Sequence, residues 1–171
     1  MAKMTSAYAN KLIKRLNEDK EFWRRKEAEG CMYVAAVGEE PVIPNYDYGE
    51  VAAKLEEIDE KIVKIKHAIN LANLTSELEV GNCKITVDQV LVKMAQLSKR
   101  KMILDSMRKR EPKTRINSGG FGAHKTAPEY QYINYDLETV SKDYERIDAE
   151  LAQMQIALDK YNQTYEFEVN V

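Results

Sequence analysis

Leu137-Glu-Thr-Val-Ser-Lys-Asp-Tyr-Glu-Arg-Ile-Asp-Ala-Glu-Leu-Ala-Gln-Met-Gln-Ile-Ala-Leu-Asp-Lys-Tyr161 is the stretch whose reading decides the fold. Its apolar residues Leu137, Val140, Tyr144, Ile147, Leu151, Met154, Leu158 and Tyr161 recur at alternating steps of three and four. That spacing predicts one buried seam along a helix roughly 40 Å long at ~1.5 Å per residue. Val51, Leu55, Ile58, Ile62, Ile65, Ile69 and Ala72 repeat the alternation with opposite phase, so a second long helix carries its own narrow stripe. Each stripe needs a cover, and the two seams are expected to face each other. No internal repeat of fixed period is read from the chain, although the two seam helices could be mistaken for one.

The length of 171 residues predicts a single helical domain over 1–171, and 44% hydrophobic content suffices for a core. A net charge of -2 excludes a general nucleic-acid binder held by a basic surface. Cys31 and Cys83 without a signal sequence read as a reduced pair. The start, MAKMTSAYANKLIKRL, is amphipathic, and no segment is apolar enough to span a membrane. The expected location is cytoplasmic.

Thr5 or Ser6 caps a first helix through Tyr8, Leu12, Ile13, Leu16 and Trp23, ending near Gly30. Cys31 to Val37 is β-like, and Gly38, Pro41, Pro44 and Gly49 exclude a helix up to the Asp47 cap. This loop is too apolar for a mobile linker and is expected to pack on something. The second helix runs to about Asn73. Gly81-Asn82 then predicts a small hairpin. Thr86-Val-Asp-Gln89 is a capping box opening a third helix that ends before Pro112. The closing run Tyr165, Phe167, Val169 reads as a strand that pairs with Cys31–Val37 or with a neighbouring subunit.

Residues 112–135 read as one long irregular loop, longer than a compact bundle tolerates without a purpose. From Arg108 to Lys125 six basic residues face one acidic, whereas 136–168 hold three basic against nine acidic. The two regions either neutralise each other or leave a cationic site. The loop offers the chemistry of phosphate binding: Arg108, Arg110, Arg115 and Lys125 to neutralise it, and Asn117, Gly119 and Gly120 to donate hydrogen bonds. Tyr130 or Tyr132 would stack on a base, or else pack at a subunit interface. Asn70 and Asn73 either cap the end of the second helix or line a polar pocket between helices. His67 and His124 lack partners at metal-ligand spacing, and Ser118 with His124 lacks a nucleophile elbow. No metal, cofactor or catalytic group is expected.

Ile69-Asn-Leu-Ala-Asn-Leu-Thr75, Leu78, Gly81, the Thr86 helix start, Arg115-Ile116 and Tyr144-Glu-Arg-Ile-Asp-Ala-Glu-Leu with Tyr-Asn-Gln-Thr at 161–164 resemble a bacterial family often labelled septicolysin-like. The resemblance spans most of the chain and implies an antiparallel helical coiled coil that self-associates, with no characterised activity. The sequence departs from the family pattern at Lys93-Met94, where the family has an Arg-Asp pair, and in the inserted Gly119-Gly-Phe-Gly122. The family label suggests a cytolysin, yet no segment here is apolar enough to enter lipid alone.

The expected fold is therefore all-α: an antiparallel long-helix coiled-coil bundle with short β-hairpin pieces and a long irregular loop, assembling as a homo-oligomer. The expected function is non-catalytic binding of a small anionic, nucleotide-like ligand that the protein sequesters or senses. Small oligomeric phage proteins that sequester host immune nucleotides are an analogy of class. The alternative is a coiled-coil scaffold or adaptor with no small-molecule ligand.

Overall fold

The computed structural model describes residues 2–81, 83–116 and 128–170. The order is β1 (Ala2–Thr5), α1 (Ser6–Gly30), α2 (Tyr48–Thr75), β2 (Glu77–Val80), β3 (Cys83–Thr86), α3 (Val87–Arg108), β4 (Lys113–Ile116), β5 (Glu129–Tyr132), α4 (Leu137–Thr164) and β6 (Glu166–Val169). The chain is mainly helical, with three two-stranded antiparallel ribbons: β1 with β6, β2 with β3, and β4 with β5. Local chemistry sets the helix starts. Side-chain oxygens of Thr5, Asp47, Thr86 and Asp136 accept from the backbone N–H three residues on, satisfying donors that the first turn leaves over. At Thr86 the Gln89 side chain also accepts from the cap's own N–H, completing the predicted capping box.

The seams do not face each other as expected. Each is covered by its sequence neighbour, α2 by α1 and α4 by α3. The hydrophobic clusters divide the same way. Met4, Ala9, Ile65 and Val169 form one cluster with Leu12, Ile13 and Leu16. Leu78, Val87, Val90, Met154, Leu158 and Tyr161 form a second, and Leu104, Val140 and Ile147 a third farther along α3 and α4. Pairing between neighbours closes smaller loops, the tips at 31–47 and 109–136, than pairing α2 with α4 across 76–136 would, and it leaves each stripe already spent. The two helical hairpins join at a hub where β1–β6 and β2–β3 meet the start of α1 and α3 and the end of α2 and α4. This two-part frame exposes 13060 Å2, against ~8,600 Å2 for a compact monomer of this mass.

The frame is an internal duplication, contrary to the reading of no repeat. Residues 47–80 and 136–169 align without a gap at an offset of 89, with eleven identical positions that include Val51/Val140, Ile58/Ile147, Asp59/Asp148, Thr75/Thr164 and Val80/Val169. All seven seam positions of α2 have seam counterparts in α4, from Val51/Val140 to Ala72/Tyr161. The apparent opposite phase came from starting the α4 seam one step early, at Leu137. β1–α1 and β3–α3 align at a different offset, 81, matching Lys3/Lys84, Thr5/Thr86, Leu16/Leu97 and Lys20/Lys101. Two offsets arise because the tips differ in length, and they hide the repeat from a search for one period. Each copy is strand, helix, helix, strand. The first strand of each copy pairs with the last strand of the other, Thr5 opposite Glu166 and Thr86 opposite Glu77. β6 therefore takes β1 as its partner, not the Cys31–Val37 run.

The tips carry what is not duplicated. Residues 31–47 form no helix or strand, and the expected packing is absent: Val34 is 98% exposed and Val37 107%. Only the end of this arm is seated, with Tyr46 lying over Gly30. At the other tip the expected irregular loop is partly ordered as the β4–β5 ribbon, whose residues are all exposed. Cys31 lies at a tip and Cys83 at the hub, both unbridged and exposed. No described helix is long and apolar enough to cross a membrane.

Candidate anion site beside the terminal ribbon

The ribbon is fastened to the end of α3. Tyr135 donates its hydroxyl to the Met107 carbonyl at 2.8 Å, and the Ile133 N–H donates to the Pro112 carbonyl at 3.3 Å. The register Lys113↔Tyr132 and Arg115↔Tyr130 places these four side chains on one face, and Thr114↔Gln131 on the other. The Lys113 ammonium sits 4.1 Å from the Tyr130 ring centre and 5.4 Å from that of Tyr132. The ring faces expected to stack on a base thus already hold a cation.

At the base of the ribbon a hollow of about 510 Å3 is lined by Arg110, Thr114, Gln131, Tyr132, Asn134 and Tyr135, together with Glu111 and Ile133. Its size lies in the range of small-molecule sites. It combines a guanidinium, amide groups and hydroxyls, a donor set suited to phosphate and to the polar edge of a base. Among the described residues no carboxylate forms an ion pair with Arg110, Lys113 or Arg115. The acidic helix α4 meets other cations: Glu150 binds Lys93 at 2.6 Å, and Asp148 binds Lys101. Among the described residues no ion pair joins the basic stretch 108–125 to the acidic stretch 136–168, and Arg108 and Lys109 pair instead with Asp105 of α3.

The expected site residues divide. Arg110 and Tyr132 meet at the hollow, while Arg115 and Tyr130 stand paired on the outer ribbon face. Arg108 is engaged within the helix pair and does not line the hollow. Its guanidinium lies 3.9 Å from the Tyr144 ring centre and bonds Asp105 at 2.8 Å, closing α3 on α4. Lys109 and Arg108 together hold the Asp105 carboxyl below its ordinary range. Asn70 and Asn73 belong to the hub end, separated from the ribbon by the ~32 Å length of α3. There Thr75, not either asparagine, donates to the Leu71 carbonyl at 2.9 Å, and Asn70 is exposed. Asn117, Gly119, Gly120 and Lys125 lie outside the described residues. Sequence reading missed Thr114 and Gln131 as partners of Arg110. The signal was the alternation in Lys-Thr-Arg-Ile and Glu-Tyr-Gln-Tyr, overlooked beside the glycines.

Among the described residues no cluster of His, Cys, Asp and Glu is arranged to hold a metal ion. No family model and no curated protein matches the chain. A solved structure described as a functionally unknown conserved protein from Corynebacterium diphtheriae is similar over 98% of this chain and 100% of its own, at 16% identity and a TM-score of 0.66. The likeness is one of fold. The resemblance to the septicolysin-like family rests on the sequence motifs alone.

Proposed function

We propose that the protein is a non-catalytic, homo-oligomeric binding protein that sequesters or senses a small anionic, nucleotide-like ligand at the ribbon end of α3. The observation that supports this reading is the hollow joining Arg110 to Thr114, Gln131, Asn134 and Tyr132. Arg110 supplies a permanent positive charge in a fork that fits phosphate, and the amides of Gln131 and Asn134 supply paired donors and acceptors for a base. Thermal-shift screening of the intact chain against nucleotides and cyclic nucleotides tests it, with Arg110→Ala and Asn134→Ala as controls. A binding nucleotide should raise the wild-type melting temperature and lose that effect in Arg110→Ala. Recovery of the nucleotide unchanged by chromatography supports binding without turnover, and a converted nucleotide overturns the non-catalytic part.

The second reading is a scaffold without a small ligand. It draws on the exposed apolar arm, since Met32, Val34, Val37, Val42 and Ile43 all stand at least 65% exposed. Absence of stabilisation by any phosphate compound favours it.

A further inference from the structure

The arm and the ribbon are complementary and sit on different tips of one chain. Residues 31–47 contain Glu39, Glu40 and Asp47 and no Lys or Arg. The ribbon's outer face presents Lys113 and Arg115 beside Tyr130 and Tyr132. Both partners are incomplete as they stand. The run Met32-Tyr-Val-Ala-Ala-Val37 is rich in strand-forming residues yet has no strand partner among the described residues. Among the described residues β4 and β5 pair only with each other, which leaves the ribbon two open edges there, and an isolated two-stranded hairpin is marginal in water. Among the described residues no hydrogen bond or ion pair joins arm to ribbon within the chain, and the two hairpins that carry them have separate cores.

We infer that the arm of one copy docks on the β4–β5 ribbon of a second copy. Residues 32–37 add as a third strand along an open ribbon edge, where main-chain hydrogen bonds give affinity and alternate side chains give register. Gly38, at φ +89°, turns the chain behind that strand. Glu39 and Glu40 then reach the Lys113 and Arg115 face, and Met32 and Val34, which share one face of the added strand, leave water against Tyr130 and Tyr132. The contact joins unlike surfaces, so it propagates head to tail and closes into a ring or extends as a chain of copies. It uses the ribbon face opposite Thr114 and Gln131 and touches the lining of the hollow at Tyr132. The inference rests on the homo-oligomeric part of the reading above and not on the ligand.

Charge exchange tests it with the full-length chain and no nucleotide present. The variants are Glu39→Lys with Glu40→Lys, and Lys113→Glu with Arg115→Glu, all at exposed positions, with helical content checked by circular dichroism. Sedimentation should show wild type as an assembly that dissociates as salt rises. Each double variant alone should associate at least about tenfold more weakly, and an equimolar mixture of the two should recover association between unlike copies. Wild type that stays a single copy overturns both this contact and the homo-oligomeric reading. An assembly unchanged in both variants overturns the contact alone and leaves that reading in place.

Discussion

Lys101 on α3 donates to Asp148 on α4, and in the other hairpin Lys20 on α1 donates to Asp59 on α2 from the equivalent positions. Both lysines occupy seam positions of their own helices, four residues after Leu16 or Leu97, and both aspartates directly follow a buried isoleucine, Ile58 or Ile147. The pair acts as a register pin. It permits only one sliding position of one helix on the other, which a stripe of similar aliphatic residues does not enforce by itself. Its repetition in both halves, with Thr75 and Thr164 closing their helices in the same manner, is the side-chain signature of the duplication.

Separate cores imply separate energetics. Ile65 is fully buried between α1 and α2, and Ile147 is 3% exposed between α3 and α4. Ile65→Val and Ile147→Val should each cost about 0.5–1.5 kcal/mol in denaturant unfolding. The double variant should equal the sum within about 0.5 kcal/mol, because the sites share no partner. A coupling well above that value would show one continuous core and contradict the division.

Gly30 tests how the arm is held. A Cβ at this position would stand 2.6 Å from the Cβ of Tyr46, too close for any relaxed contact. In the wild-type background Gly30→Ala should therefore destabilise the protein and speed proteolysis within residues 31–47. In a Tyr46→Gly background the obstructing Cβ is gone, and the same change should stabilise by up to about 1 kcal/mol through better helix propensity. The reversal of sign is the measurement. A loss in both backgrounds would mean that Tyr46 is not the obstacle.

The acid limb of stability should carry a mark from α4. Hydrogen bonds to the Thr139 hydroxyl and backbone N–H hold the Asp136 carboxyl below its ordinary value. Its folded pKa lies below its unfolded one, so its contribution is complete above the unfolded pKa and is lost as pH falls through the folded value. Asp136→Asn retains a capping oxygen but cannot ionise. It should lower stability near neutral pH by the charge-dependent part of the cap and converge on wild type at low pH, which flattens the acid limb. An acid limb identical to wild type would mean that the cap gains nothing from its charge.

The sequence revealed structure wherever the cause was local. Thr5, Asp47 and Thr86 announced their helices because a cap acts over three residues, and Gly81 announced its hairpin because the turn places it at φ +61°. The partners of those elements were hidden. β1 is four residues that look like a helix leader, and its mate lies at the far end of the chain, so no local pattern marks it. Either helix would satisfy a seam of Ile, Leu and Val, and chain connection decides between them. At the candidate site, residue types singled out Arg110 and Tyr132, which line the hollow, but sequence could not show that Arg108 is engaged by Asp105 and Tyr144.

Ser6 is the place where the two halves disagree to the protein's cost. It is 2% exposed, and its hydroxyl has no hydrogen-bond partner among the described residues. The duplicated position in the other half is Val87, 1% exposed, at the same first turn behind the same threonine cap. A buried hydroxyl without a partner forfeits its hydration and gains nothing in return, whereas the larger valine, accommodated at the equivalent Val87, would add apolar contact to the cluster of Met4, Ala9 and Val169. Ser6→Val should therefore raise stability by about 1 kcal/mol and the melting temperature by about 2–4 °C. The converse change, Val87→Ser, should cost more than Ser6→Val gains, because it both empties space and buries a new hydroxyl. If Ser6→Val instead destabilises, the site is tighter around Ser6 than around Val87, and the equivalence of the two helix starts does not extend to their packing.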